Sequence, residues 1–177
     1  NSPTPLVDQP GIYTLTVENP VNGCTATDVV EIFNDDSAPA ANAGTAATLT
    51  CALLQTNLNA SASTGPNISY NWTNSPGGNI ILGQNTLSPT VNEPGIYTLV
   101  VTNASNGCVA TSSVTVLENV TPPAVDAGAT ATLTCTTTSL SLAGSSAGGP
   151  ATYFWTSANG NIVSGGNTLN PTVNQNG

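Results

Sequence analysis

Nine carboxylates and four cysteines are the reactive side chains of this 177-residue sequence, and no Lys, Arg or His accompanies them. That inventory limits the chemistry on offer. Without His or Lys the usual general bases and Schiff-base formers are missing, which leaves Asp, Glu, Tyr and Cys. Two carboxylates suffice for glycoside hydrolysis, but these are scattered over stretches that read as linkers and loops. No catalytic residue is assigned, and the sequence reads as that of a non-enzyme. Carboxylates grouped with amides have another use. Asp35 and Asp36, preceded by Asn34 with Asn42 beyond, form one group, and Glu118 with Asn119 and then Asp126 forms another. Such oxygen ligands suit Ca2+, which takes six to eight of them. Their spacing matches no EF-hand loop, and a solvated acidic linker that keeps the protein soluble accounts for the same residues. Zinc fits worse, because its sites need closer ligand pairs and no His is present.

The charge balance removes whole classes of partner. Charged residues are 5% of this chain, against about 25% in an average globular protein. The net charge of -9 has no basic component, so salt bridges cannot contribute to the fold. Nucleic acid and anionic lipid both demand Lys or Arg, and neither is an expected partner. The longest aliphatic run, Ile80-Ile81-Leu82, is far too short to cross a bilayer. A trypsin-type protease finds no site at all, which suits a surface exposed to degradative enzymes.

The elements that position these residues are repeated. "PGIYTL" stands at 10–15 and at 94–99, "NGC" at 22–24 and 106–108, and "TLTC" at 48–51 and 132–135, all offset by 84. Trp72 matches Trp155 at an offset of 83, and "PTVN" at 89–92 matches 171–174 at 82. Both deletions fall in Gly/Pro/Ser-rich stretches, where turns absorb changes in length. The two ends carry the same phase of the repeat, so the sequence is read as an excerpt. Residues 1–36 are then the last two strands of one unit, 37–120 a complete unit, and 121–177 the head of a third.

Within a unit the pattern is strand throughout. In "GIYTLVVTN", Tyr97, Leu99 and Val101 point one way while Ile96, Thr98, Val100 and Thr102 point the other. "CVATSSVTV" puts Cys108, Ala110, Val114 and Val116 on one parity, and the Asn-Gly between the two runs signals a hairpin. No window has helical periodicity. About seven short strands per unit predict an all-β fold of tandem antiparallel β-sandwiches with a period of about 84 residues. Trp72, Trp155, Tyr70, Tyr97 and Tyr13 are assigned to the cores of these sandwiches rather than to a ligand-stacking platform.

"YNWT" at 70–73 followed by "PGIYTLVVTN" at 94–103 resembles the polycystic-kidney-disease (PKD) type of immunoglobulin-like domain, with its Tyr-x-Trp and Pro-Gly-x-Tyr-Thr strands. "YFWT" at 153–156 repeats the first element, and "ANAGTAATLTC" and "VDAGATATLTC" match the opening strand. The whole period is similar to tandem repeats in very large secreted surface proteins of gliding and predatory marine Bacteroidota. The Asp-rich turn that follows the Trp in ordinary PKD domains is replaced by "NSPGG" and "SANG", so no role of that turn carries over.

The resemblance implies export, by the type IX route, to the cell surface, and work there as an adhesin, stalk or filament attached to prey, cells or surfaces. Other copies of the chain are the expected partners. A passive spacer carrying a binding domain elsewhere, and a carbohydrate-binding module, are the alternatives. An oxidising exterior makes Cys24, Cys51, Cys108 and Cys135 disulfide candidates. Cys51 with Cys108 closes one unit, but eight residues of strand span about 26 Å and bridged Cα atoms lie within about 7 Å. If the first strand runs away from the hairpin turn, the bridges instead cross a repeat junction or join chains. Cys24 and Cys135 then pair with each other or with another copy. Asp36-Ser37-Ala38 resembles the O-glycosylation signal of the same bacteria, which makes Ser37 a glycan candidate. Asn59-Ala60-Ser61, Asn71-Trp72-Thr73 and Asn103-Ala104-Ser105 are sequons of the kind that arise by chance in such a composition.

Overall fold

The computed structural model describes residues 4–174. The chain divides into two compact units, 1–119 and 120–177. The first begins with an isolated hairpin of β1 (Gly11–Glu18) and β2 (Thr25–Ile32). Seven strands follow: β3 (Ala47–Thr50), β4 (Thr56–Asn57), β5 (Ile68–Asn74), β6 (Ile80–Leu82), β7 (Thr90–Val91), β8 (Gly95–Asn103) and β9 (Val109–Asn119). They form two sheets, ordered β3-β9-β8-β5 and β4-β7-β6. The period-2 pattern explains the packing: Tyr97, Leu99 and Val101 of β8 are buried, with Val114 and Val116 of β9 beside them. Register stacks these side chains, since Trp72 pairs with Leu99, and Tyr97 with Val114. Leu58 and Val91 from the second sheet's side complete one apolar cluster with Leu49 and Trp72, so the two sheets face each other as a sandwich.

Among the described residues every strand pairing is antiparallel except one. β3 runs parallel to β9, Ala47 opposite Val116 and Thr50 opposite Asn119, which departs from the purely antiparallel sandwich read from the sequence. Hairpin patterns reveal local antiparallel pairs, whereas this contact joins residues nearly 70 apart. Gly44 permits the approach to β3. It holds φ +82, and a Cβ there would meet the Asn59 carbonyl oxygen at 2.5 Å.

The second unit holds β10 (Ala124–Asp126), β11 (Ser139–Ser141), β12 (Ser145–Ala147), β13 (Asn161–Ser164) and β14 (Thr172–Asn174). Its sheet β11-β14-β13 reproduces β4-β7-β6, with Leu140 and Ile162 both opposite Val173 as Thr56 and Ile80 are opposite Val91. β10 pairs with β12 separately. No helix of the described residues is long and apolar enough to cross a membrane.

Two polar anchors pin the aromatic core. The Trp72 indole N–H donates to the Thr86 carbonyl at 3.1 Å, and the Trp155 indole N–H donates to that of Thr168 at 2.9 Å. The fully buried Tyr97 donates its hydroxyl to the Glu93 carbonyl at 2.7 Å and accepts from Asn79 N–H at 2.9 Å. Tyr13 makes the matching bond to the Gln9 carbonyl at 2.6 Å, but in the exposed hairpin. Tyr97→Phe removes the hydroxyl that joins the Asn79 N–H and the Glu93 carbonyl to the core and is expected to destabilise the complete unit by about 1–2 kcal/mol. Tyr13→Phe is expected to leave that transition unchanged, and urea unfolding of the two variants checks the contrast.

Candidate functional site: the linker clasp

The five-residue connection between β8 and β9 is shaped by Asn103, Asn106 and Gly107. The Asn103 N–H donates to the Cys108 carbonyl at 2.9 Å, and the Gly107 N–H to the Asn103 carbonyl at 2.8 Å. Gly107 sits at φ +78, the left-handed region that glycine tolerates. Asn106 keeps negative φ, because Asn67 is the sole non-glycine residue with positive φ among those described. The Asn-Gly pair is therefore no two-residue type I′ turn, which needs positive φ at both positions. Its asparagine serves a different purpose: the Asn106 side-chain oxygen accepts Cys108 N–H at 2.9 Å and leaves its NH2 to reach outward.

That NH2 meets the linker that enters the sandwich. Asn106 Nδ2 donates to Asp35 Oδ1 at 3.0 Å and to the Ser37 carbonyl at 3.2 Å. Asn103, buried to 1% exposure, donates from Nδ2 to the same Ser37 carbonyl at 3.1 Å, while its oxygen accepts Ser105 N–H at 3.0 Å. Every hydrogen-bonding atom of Asn103 other than one amide hydrogen is thus engaged between turn and linker. Ser37 N–H returns to Asp35 Oδ1 at 3.2 Å. Asn106, and after it the hydroxyl and N–H of Ser37, hold the Asp35 carboxyl below its ordinary pKa of 3.8. The result is a clasp made of amides, one carboxylate and one doubly bonded carbonyl, which ties the linker to the hairpin turn.

The other sequence-selected residues lie as follows. Asp36 accepts weakly from Asn34 at 3.4 Å. Glu118 lies on β9 opposite Leu49, at the end remote from Asp35 and Asp36, and Asp126 accepts Gly128 N–H at 2.9 Å in the second unit. Among the described residues no three Asp, Glu, Cys or His side chains gather as metal ligands. Ser37 is exposed, and its carbonyl rather than its hydroxyl anchors the clasp. Trp72 and Tyr97 are fully buried, Tyr70 packs half-buried against the same cluster, and Trp155 and Tyr13 are half-buried. Cys24 and Cys135 are exposed.

Register settles one cysteine question. Cys51 directly follows Thr50, which pairs with Asn119, while Cys108 directly precedes Val109. The eleven residues of β9 lie between them, on the order of 30 Å at ~3.3 Å per residue. A bridge between these two within one unit is excluded. Asn103 and Asn106 were missed as site residues; their signal was the spacing "NxxN-G-C", present at 19–24 as well. There Asn19 and Asn22 make the equivalent turn bonds to Val21 N–H and Cys24 N–H, each at 3.0 Å.

Two facing sheets with the last strand pair at the centre of one, and a buried Trp and corner Tyr between them, define an immunoglobulin-like β-sandwich. No family model and no curated protein matches the chain. Among solved structures, the chain is similar to the solution structure of the PKD domain from KIAA 1837 protein, at 26% identity over 51% of this chain and 97% of that one, with a TM-score of 0.37.

A lowered folded-state pKa means that Asp35 contributes stability above its unfolded value of about 4, lost as pH falls through the lower folded value. The clasp is therefore expected to open only below about pH 4. Asn106→Ala is expected to raise the Asp35 midpoint toward the ordinary carboxylate range, the Ser37 bonds remaining, read by NMR titration of its carboxyl carbon. Non-reducing peptide mapping with a protease other than trypsin is expected to yield no Cys51–Cys108 linkage; finding one in monomeric protein contradicts the register of β3 on β9.

Proposed function

We propose that this chain is a structural and adhesive segment of an extracellular surface protein, in which stiffly joined sandwiches form a rod or filament that attaches a cell to prey, other cells or surfaces. The observation that carries the reading is the clasp. A linker of Asn, Asp, Ser and Pro has the composition of a flexible hinge, yet here Asn103 and Asn106 bind it to the unit that follows. Rigid joints serve reach and force transmission, and a catalytic or small-ligand role has no use for them. The lack of Lys and Arg in the sequence supports an environment rich in proteases, and the strand motifs that resemble surface repeats support export. The spacer reading has its own observation: Trp72, the best stacking side chain for a sugar, is fully buried, so adhesion does not run through it.

Chymotrypsin tests the joint, because Phe33 is an exposed cleavage site beside it. The native chain is expected to resist cutting there about tenfold longer than the Asn103→Ala, Asn106→Ala double variant, since cleavage requires local opening. Equal rates would show that the joint is already loose and would overturn the stiff-rod reading. Beads coated with the native chain are expected to be retained on bacterial cells under flow; retention no better than albumin-coated beads, with a resistant joint, leaves the chain a spacer.

A further inference from the structure

The pair Asn106-Gly107 carries a chemistry that its turn-forming role does not use. A backbone nitrogen that follows asparagine can attack the side-chain Cγ, closing a succinimide ring and expelling ammonia. Water then opens the ring to aspartate or isoaspartate. One amide and one water are consumed, one carboxylic acid and one ammonia are produced, and no redox partner is involved. A side chain on the following residue obstructs the attack, and glycine has none. Gly107 is exposed, and the space where a Cβ would stand is empty to 4 Å, so water reaches the site. Asn103, in the same turn, is the contrast: Ala104 follows it and it is 1% exposed.

The closed clasp opposes this reaction at each reacting group. Attack turns the planar Cγ of Asn106 tetrahedral and moves both atoms bonded to it. Its oxygen is held by Cys108 N–H at 2.9 Å, and its nitrogen by Asp35 Oδ1 at 3.0 Å and the Ser37 carbonyl at 3.2 Å. The attacking nitrogen is engaged as well, since Gly107 N–H donates to the Asn103 carbonyl at 2.8 Å. The amide that reaches the linker is also the group that the reaction destroys. An aspartate at 106 accepts hydrogen bonds and donates none, so it would set a carboxylate against the Asp35 carboxylate and the Ser37 carbonyl, two acceptors and one of them charged. Isoaspartate adds a methylene to the main chain of a turn that the Asn103–Cys108 and Gly107–Asn103 bonds now close.

We propose that Asn106 is a site of self-modification and that the clasp is a one-way latch: while the linker is bound the amide is shielded, and once the linker leaves, conversion of Asn106 to aspartate or isoaspartate prevents it from returning. Water is the only co-reactant. Openings of the clasp, whether thermal or drawn by tension on the linker, are thereby recorded as a permanent change of charge at position 106. The inference rests on the stiff-joint reading of the preceding subsection and adds to it a lifetime, set by the time the joint spends open.

Ageing of the 177-residue chain at neutral pH, with peptide mapping by mass spectrometry, reads conversion at each asparagine separately. Asn106 is expected to convert at least about tenfold more slowly in the native chain than in the same chain unfolded in urea, because reaction waits on local opening. Asp35→Ala, at an exposed position, and Asn103→Ala each loosen the linker and keep Asn106, and each is expected to speed conversion severalfold. Other Asn-Gly pairs, Asn22-Gly23 and Asn159-Gly160 among them, react during ageing too, so Asn106→Asp isolates the consequence: it is expected to be cut by chymotrypsin at Phe33 about tenfold faster than the fresh native chain. Equal conversion in native and unfolded chains overturns the proposal. So does an unchanged rate in Asp35→Ala and Asn103→Ala chains that keep the complete unit's unfolding transition, or an Asn106→Asp chain as resistant as the native one. Failure of the stiff-joint reading shows differently, as a fresh native chain already cut as fast as the Asn103→Ala, Asn106→Ala double variant; the conversion rates then still decide the shielding.

Discussion

The β8–β9 hairpin is the element on which the complete sandwich depends. It supplies both inner strands of the larger sheet, and Tyr97, Leu99, Val101, Val114 and Val116 make it the source of five of the eleven buried members of the core cluster. Its turn also holds the incoming linker through Asn103 and Asn106. Pairing, core and junction are therefore one piece of sequence. β-propensity is largely a statement about neighbours rather than about the backbone, and the two copies of "ATLT" make that concrete: four identical residues adopt a strand beside β9 and none without it.

A chain without cations cannot use ion pairs, so neutral side-chain bonds to the backbone take over their positioning role. Asn42 accepts Gly44 N–H at 2.8 Å, Asn59 accepts Ser61 N–H at 2.9 Å and Asn106 accepts Cys108 N–H at 2.9 Å. Each fixes a local turn whose orphan donor would otherwise need water. No buried side-chain nitrogen or oxygen among the described residues lacks a partner. Bonds of this kind are indifferent to salt, whereas surface ion pairs are screened within about 10 Å at 0.1 M. A fold positioned by such bonds in place of ion pairs depends little on ionic strength for its turns.

Much of this was legible in the sequence, and the exceptions share a cause. The alternation in "GIYTLVVTN" gave the buried face of β8 residue by residue, because a sheet with one face on a core imposes period 2. The Asn-Gly signal gave the hairpin but not the form of its turn, in which the Asn106 side chain bonds Cys108 N–H and a linker 71 residues away. The parallel β3–β9 pair and the loss of strand at 131–134 are likewise decided by residues distant in sequence. Of the carboxylates at 35–36, only Asp35 takes part in the clasp, and the asparagines that hold it are common turn residues with no chemical signature of their own. Periodicity reports what a segment buries; it does not report what a turn reaches for.

The topology also bears on how such a unit would carry tension. The chain enters beside the turn that begins β9, where Ser37 is clasped, and leaves at Asn119, the far end of β9. β3 lies near the entry side of the sequence and runs parallel to β9 over four residue pairs. Pulling the two ends apart therefore slides β3 against β9 along the strand axis instead of peeling one from the other. In sliding, the ladder bonds are strained together, whereas in peeling they break one after another, so resistance scales with the whole set rather than with a single bond of about 1 kcal/mol. An antiparallel first strand would have brought entry and exit to the same end and put the same bonds in peeling. The one pairing that breaks the antiparallel rule is thus the pairing that meets tension along the chain in sliding.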